Sequence, residues 1–398
     1  MDDQEHRGEK GDSDCRGGKR TPALSRCKRI LFTLCTIVLL VLFAEVSLQL
    51  FYRVTVGRWL WDWWAIPIFE EDPIRVYRLK PNLDYWHKTS EFTARYRTDE
   101  AGMRTDGRQQ TPIVPKPPGT YRILSLGPSF AFGWAANYED AYIHRIADGL
   151  QMPGKRVELV NLGTPAQPIS YQLKWLRETG YVYQPDLIVQ TVYGDMDQLD
   201  ADDTLPDNRP YIRNGYLYPS KDMTVSMWIR SLRRYSALLF YGWHVYASVR
   251  SETITGDGKE FYKQARQADR QAASECVKRY QSYIEFVHRA VTNKPPVVFI
   301  YIPLAWVVRP ADVSRVAHHG QAPNPFDMRE RTALLSSVLM SNQVNVIDTT
   351  SFLVKHDSET RMYYLYDIHF TVSGNKVVAD YALPIIQEMV LRGEPGAH

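Results

Sequence analysis

The chain has 398 residues, of which 44% are apolar, 12% aromatic and 23% charged. This composition excludes a disordered chain and a protein with many membrane spans, and it indicates a mostly globular protein of one or two domains. The 48 lysine and arginine residues exceed the 45 acidic residues by only three, which argues against a basic surface for nucleic acid.

Residues 30–52 form one strongly apolar segment of 23 residues. As an α-helix this segment is about 34 Å long, which is enough to cross a bilayer core of about 30 Å. Residues 16–29 contain six basic residues and no acidic residue. Aromatic residues lie at the end of the segment, at Phe51 and Tyr52, and after it, at Trp59, Trp61, Trp63 and Trp64. This asymmetry predicts a single-pass anchor with its N-terminus in the cytoplasm and the remainder exported.

Two alternatives to the anchor fit the sequence less well. A cleaved signal peptide needs a small-x-small cleavage site, and the end of the apolar segment has none. A buried core helix does not explain the basic residues before the segment or the tryptophans after it. With an anchor at 30–52, only Cys276 of the four cysteines lies beyond the membrane, so no intrachain disulfide is expected in the exported part.

The part after the anchor divides at about residue 119. Residues 53–118 are rich in proline and glycine with short β-prone pieces, and they predict a stalk with a few short strands. From residue 119 onward, short apolar runs alternate with helical patterns, which is typical of a parallel sheet with crossover helices. The predicted strands are 121–126, 157–162, 187–193, 297–302 and 344–347, and predicted helices include 141–150, 169–178 and 330–340.

An insert at about 198–260 separates the third and fourth predicted strands. It contains an aromatic segment at 223–243 that can be read as core, as a lid or as a membrane-surface helix, with core as the default. A long helix with apolar positions from Phe261 to Val287 follows the insert and is expected to cover the sheet.

Three segments carry residues suited to acyl transfer. Ser129 directly follows the first predicted strand, so its hydroxyl is expected at the carboxyl edge of the sheet beside helix amides. Gly163 ends the second strand at the same edge, where its amide could stabilise an oxyanion. Asp367 and His369 lie on one loop before the last helix, where the carboxylate can orient the imidazole that deprotonates Ser129.

These segments resemble the blocks of the SGNH (GDSL-like) hydrolase superfamily, especially its bacterial members with one N-terminal anchor. Residues 127–133 (GPSFAFG) are similar to the first block, 161–163 (NLG) to the second, 193–197 (YGDMD) stand in the place of the third, and 367–370 (DIHF) are similar to the last. The resemblance implies Ser129 as nucleophile, Asp367 and His369 as its triad partners, and the Ser129 and Gly163 amides in the oxyanion hole.

Two positions depart from the family pattern. Pro128 replaces the usual aspartate of the first block, and the third block offers Asp195 or Met196 where an asparagine normally donates to the oxyanion. Neither an ionised aspartate nor a methionine can make that donation, and losing one such donor costs about 100- to 1000-fold in rate. The alternative is therefore a degenerate SGNH domain that binds a polysaccharide or a partner without turnover.

Together these observations predict a three-layer α/β/α flavodoxin-like domain with about five parallel strands, at 119–398, behind a cytoplasmic tail (1–29), a transmembrane anchor (30–52) and a stalk (53–118). The expected function is that of an esterase, deacetylase or O-acyltransferase acting on an acyl ester of an envelope or exported glycan. The expected location is the bacterial inner membrane, with the C-terminal domain in the periplasm. No metal, cofactor or nucleic acid is expected, and the sequence does not specify an oligomeric state.

Overall fold

The computed structural model describes residues 26–392 apart from short gaps. The gaps are 57–58, 61–65, 90, 108–110, 195, 197–198, 200, 206, 208, 219–231, 233–234, 243–244, 246–257, 313–324 and 366, and the side chains of 56, 258–271, 312 and 325 are also not described. The basic residues before position 26, Trp61, Trp63, Trp64 and much of the aromatic segment 223–243 therefore lie outside the described residues.

The N-terminal apolar segment is helical. Helix α1 (Arg26–Val56) is 31 residues long, and its apolar side chains between Ile30 and Phe43 are largely exposed. By length and composition it is a candidate membrane span. Contacts divide the chain into two compact units, residues 1–47 and residues 48–398, and the second unit contains everything described below.

The centre of the second unit is an eight-stranded sheet, which in spatial order consists of β12 (Asn345–Asp348), β11 (Val297–Ile302), β8 (Leu187–Tyr193), β6 (Thr120–Leu126), β7 (Arg156–Asn161), β5 (Arg104–Thr105), β4 (Thr93–Thr98) and β3 (Asp84–Lys88). Five neighbouring strands are parallel: β6, β7, β8, β11 and β12. Nearly every residue of β6, β8 and β11 is buried, as expected of strands covered on both faces. The five predicted strands are confirmed, each within one residue of its predicted bounds.

Three further strands extend this sheet in the antiparallel sense, which makes it mixed. They are β3 (Asp84–Lys88), β4 (Thr93–Thr98) and β5 (Arg104–Thr105), and β5 pairs with β7 through Arg104 and Asn161. The sequence predicts strands in this region but does not show that they join the central sheet. Two separate hairpins complete the β structure: β1 (Phe69–Asp72) with β2 (Val76–Leu79), and β9 (Tyr211–Arg213) with β10 (Tyr216–Tyr218).

Helices cover both faces of the sheet and confirm the predicted α/β class. They are α2 (Ser129–Phe132), α3 (Tyr142–Gly149), α4 (Ile169–Glu178), α5 (Gly258–Ala290), α6 (Ala305–Val308), α7 (Pro325–Ser341), α8 (Thr350–Asp357) and α9 (Val372–Arg392). One apolar cluster joins the sheet to α4, α5 and α7, and a second joins its other face to α3, α8 and α9. In the first cluster, Tyr280 and Tyr283 of α5 pack on Phe299 of β11, as the apolar spacing of this helix predicts.

Candidate active site

Ser129 begins helix α2 directly after strand β6, at the carboxyl edge of the sheet. The turn that places it depends on Gly127, whose φ is +146° and whose carbonyl accepts hydrogen bonds from the Gln172 side chain at 2.7 Å and from the Thr164 amide at 3.1 Å. A side chain at Gly127 would lie 2.6 Å from Cβ of Thr191, so this turn requires glycine. Ser129 is held at the sheet edge and remains partly exposed.

Asp367 and His369 lie on the loop before helix α9. Tyr363 and Phe370 bridge the base of this loop, and the Tyr364 amide donates to the His369 carbonyl at 3.0 Å. The Thr371 hydroxyl then accepts the Gly374 amide at 3.1 Å and so caps the first turn of the helix. The loop is thus fixed at both ends, which sets the direction of the His369 side chain.

Ser129, His369 and Asp367 form one continuous set of hydrogen bonds. His369 Nε2 lies 2.5 Å from Ser129 Oγ, and His369 Nδ1 lies 2.6 Å from Asp367 Oδ1. Asp367 Oδ1 also accepts the His369 backbone amide at 3.0 Å. The side chains of His369 and Asp367 are only 11% and 10% exposed, so water competes little for these bonds. The structure brings the three predicted residues together in the relation that a serine nucleophile, its base and the orienting carboxylate require.

Aromatic rings enclose the imidazole on two sides. The Phe130 ring centroid lies 4.8 Å from that of His369, and the Trp134 centroid lies 5.6 Å away. Trp134 also donates from Nε1 to Asp367 Oδ2 at 3.2 Å, which occupies the carboxylate oxygen that His369 does not use. Burial, with the negative charges of Asp367 and Glu91, raises the pKa of the Tyr364 phenol to about 12, so this neighbour is neutral at physiological pH.

The two backbone amides predicted to donate to the oxyanion, those of Ser129 and Gly163, have different surroundings in the structure. The Ser129 amide lies at the start of a helix, where N–H groups lack intrahelical acceptors. The Gly163 amide, by contrast, donates to Asn161 Oδ1 at 2.9 Å. Asn161 in turn donates from Nδ2 to the Ala131 carbonyl at 2.9 Å, so its buried side chain fixes the Gly163 turn against helix α2. An incoming oxyanion would have to share the Gly163 amide with Asn161.

The third donor position is only partly described. Asp195 lies outside the described residues, so its predicted place in the oxyanion hole remains a prediction. Met196 is 2% exposed and packs in the core cluster beneath α5, where its sulfur accepts a hydrogen bond from the Ser336 hydroxyl at 3.8 Å. Of the two residues offered by the third block, Met196 is thus a core residue.

Sequence reasoning missed the site roles of Trp134, Asn161 and Glu91. Asn161 belongs to the second block, but its hydrogen bond to Gly163 depends on how two loops pack. Trp134 and Glu91 reach the Asp367 loop from 233 and 276 residues away, and no local pattern marks them. Within the described part of the chain, no group of three or more His, Cys, Asp or Glu residues could hold a metal ion.

Solved structures that are similar to this chain share little sequence with it. No family model matches the chain, and no curated protein was found to be similar to it. Similar solved structures include a member of the lipolytic protein G-D-S-L family from Veillonella parvula, with 12% identity over 67% of this chain and 97% of that chain and a TM-score of 0.35. A lipase/acylhydrolase from Enterococcus faecalis has 13% identity over 67% and 96%, with a TM-score of 0.34.

A third similar structure is a catalytic mutant of an acetylxylan esterase from Geobacillus stearothermophilus, with 10% identity over 67% of this chain and 94% of that chain and a TM-score of 0.34. At such identities and TM-scores, the similarities assign neither an activity nor a substrate to this chain. What this chain itself shows is a serine, a histidine and an aspartate in hydrogen-bond contact at the carboxyl edge of the sheet.

Proposed function

We propose that this chain is a membrane-anchored serine enzyme that hydrolyses acyl esters or transfers their acyl group to another hydroxyl. One observation carries the proposal: Ser129 Oγ, His369 and Asp367 are joined by side-chain hydrogen bonds of 2.5 Å and 2.6 Å at the carboxyl edge of the sheet. A serine in that position is a nucleophile when the neighbouring imidazole removes its proton.

Acylation follows from this arrangement. Ser129 Oγ attacks the carbonyl carbon of the ester while its proton passes to His369 Nε2, and Asp367 Oδ1 stabilises the imidazolium through Nδ1–H. The amides of Ser129 and Gly163 are the proposed donors to the oxyanion of the tetrahedral intermediate. The intermediate then collapses with cleavage of the ester C–O bond, and the imidazolium gives its proton to the departing alkoxide. The alkoxide leaves as an alcohol, and the acyl group remains on Ser129 Oγ.

The acceptor in the deacylation step determines whether the reaction is a hydrolysis or an acyl transfer. His369 deprotonates the acceptor, which attacks the acyl carbon and releases Ser129. Water as acceptor gives an esterase or deacetylase, and a sugar hydroxyl gives an O-acyltransferase. The residues in contact at the site perform either reaction with no cofactor, and the resemblance to SGNH hydrolases supports both.

The proposed location and substrate class follow from the N-terminal segment. Helix α1 is a candidate span, and the basic residues before it favour an N-terminus that stays in the cytoplasm. We propose that the α/β domain lies in the periplasm, anchored in a bacterial inner membrane, and acts on an envelope or exported glycan. A periplasmic reporter fused after His398 should be active, whereas an active cytoplasmic reporter at the same position would contradict this topology.

Hydrolysis of acetyl esters tests the enzymatic proposal. The full chain in detergent is expected to hydrolyse 4-nitrophenyl acetate and to release acetate from acetylated oligosaccharides. Ser129→Ala should reduce the rate to the uncatalysed background, and Ser358→Ala, on an exposed residue after α8, should leave the rate unchanged. Equal rates for wild type and Ser129→Ala would contradict the proposal.

The bond between the Gly163 amide and Asn161 favours a second candidate function. If that amide is not released to an oxyanion, the domain would bind a glycan or a partner without turnover. This candidate predicts retention of the chain on polysaccharide arrays that survives Ser129→Ala, with no ester hydrolysis by either protein. A wild type that hydrolyses esters through Ser129 would contradict it.

A further inference from the structure

Glu91 lies between strands β3 and β4 and contacts the loop that carries Asp367 and His369. Its Oε1 accepts the Leu365 amide at 2.6 Å and its Oε2 accepts the Asp367 amide at 2.9 Å. Both carboxylate oxygens are therefore occupied by backbone donors that flank or belong to the catalytic loop. Hydrogen bonds to an ionised acceptor are among the stronger ones in proteins.

The turn that presents Glu91 is itself held in place. It joins β3 to β4, and the Thr89 hydroxyl accepts the amides of Glu91 and Phe92, each at 3.1 Å. The Phe92 ring lies 5.2 Å from the ring of Tyr364, so the turn contacts the catalytic loop by packing as well as by hydrogen bonds. This is a second, independent contact between the same two segments.

The bond to the Asp367 amide has a direct consequence for the site. The backbone of Asp367 is fixed by Glu91, while its side chain accepts from His369 Nδ1 and from Trp134 Nε1. A loop amide without a regular secondary-structure partner must find an acceptor, and here that acceptor comes from a separate part of the chain. The position of Asp367 relative to His369 thus depends on Glu91.

We propose that Glu91 is a positioning residue for the proposed reaction: it sets the Asp367 carboxylate so that His369 is oriented toward Ser129. The inference rests on the proposed esterase function. It also makes residues 84–98, predicted as part of a stalk, a structural part of the active site. Because a displacement of about 1 Å in such a site costs about 100-fold in rate, loss of both bonds should lower the acylation rate by about 10- to 100-fold.

The test measures how fast a fluorophosphonate modifies Ser129 in those protein molecules that can react with it. Full-length wild type, Glu91→Ala, Glu91→Gln and Glu71→Ala are titrated with a fluorophosphonate, which gives the fraction of reactive sites and the rate of their modification. Glu71 is the matched control because it is an exposed glutamate on strand β1. Steady-state hydrolysis of 4-nitrophenyl acetate gives kcat and KM for the same proteins.

A positioning role predicts a lower modification rate and a lower kcat for Glu91→Ala, with an unchanged reactive fraction and KM. Glu91→Gln keeps one carbonyl oxygen as acceptor and should fall between wild type and Glu91→Ala. It also supplies a folded variant if Glu91→Ala is unstable. Glu71→Ala should behave as wild type.

The inference is overturned if the wild type reacts and both Glu91 variants match its rate per site. It is also overturned if the variants lose only reactive fraction, which is the behaviour of a merely structural residue. A wild type that does not react would instead refute the proposed function, so the two failures are distinguishable.

Discussion

Ser129 Oγ and His369 Nε2 lie 2.5 Å apart although 240 residues separate them in the chain. Two tightly constrained segments meet there: the turn after β6, which requires glycine at position 127, and the loop before α9, which is bridged at its base. The contact results from the parallel sheet, which brings the carboxyl ends of distant strands and the loops that follow them to one edge.

Gly163 packs too closely on helix α2 to accept a side chain. A Cβ at this position would lie 2.3 Å from the Phe132 amide nitrogen and 2.5 Å from the Ala131 carbonyl carbon. Gly163→Ala should therefore displace the turn from Ser129, lower ester hydrolysis by about 100-fold and destabilise the fold by about 1–3 kcal/mol. Hydrolysis rates and urea unfolding measure both effects, with Gly242→Ala as control because its Cβ would meet open space. A fully active Gly163→Ala would exclude this amide from the site.

Asp195 offers a test of the third-block position. If this residue faces the oxyanion, its ionised carboxylate repels the developing charge, whereas an asparagine amide would donate to it. Asp195→Asn should then raise kcat for acetyl esters by up to about 100-fold, the lower end of what one such donor contributes. The matched variant Asp380→Asn, at an exposed position of α9, should not change kcat. An unchanged or lower rate for Asp195→Asn would count against residue 195 as the third donor position.

The five parallel strands, and the approach of Ser129, Asp367 and His369 to one edge of the sheet, could be predicted from the sequence because their signals are local. A short apolar run marks each strand, and Ser129 and His369 stand in motifs whose neighbours turn the chain at a strand or helix end. The antiparallel extension by β3, β4 and β5 could not be predicted, because β5 has two residues and pairs with β7 through a single register position. The contacts of Trp134 and Glu91 with the Asp367 loop could not be predicted either, because each depends on tertiary packing between segments that are distant in the chain.

Arg122 is a buried cation whose partners hold three segments together. Its guanidinium donates to Glu158 at 2.6 Å, to the Tyr183 carbonyl at 2.7 Å and to the Ile113 carbonyl at 2.9 Å, and its side chain is 0% exposed. Arg122→Met should lower the free energy of unfolding by about 3 kcal/mol, because Glu158 and the two carbonyls lose their buried donor. Urea unfolding checks this, and Arg122→Met with Glu158→Leu should recover part of the loss. An Arg122→Met variant as stable as the wild type would contradict this prediction.

His144 should make stability depend on pH. Burial lowers the pKa of His144, and its ring lies against Tyr138 with the centroids 3.5 Å apart. Because the unfolded chain binds this proton more readily, the stabilisation is complete above the unfolded pKa of about 6.5 and is lost as the pH falls below it. The difference in urea midpoint between wild type and His144→Leu should therefore shrink or reverse between about pH 7.5 and pH 5. Parallel pH profiles for the two proteins would contradict this assignment.

Covalent labelling by a fluorophosphonate tests the role of Ser129 most directly, because the probe phosphonylates a serine only when a neighbouring base activates it. The full chain in detergent should incorporate one phosphonyl group, located at Ser129 by peptide mass spectrometry, and Ser129→Ala and His369→Ala should incorporate none. No labelling of the folded wild type, or labelling that persists in Ser129→Ala, would contradict the assignment of Ser129 as an activated nucleophile.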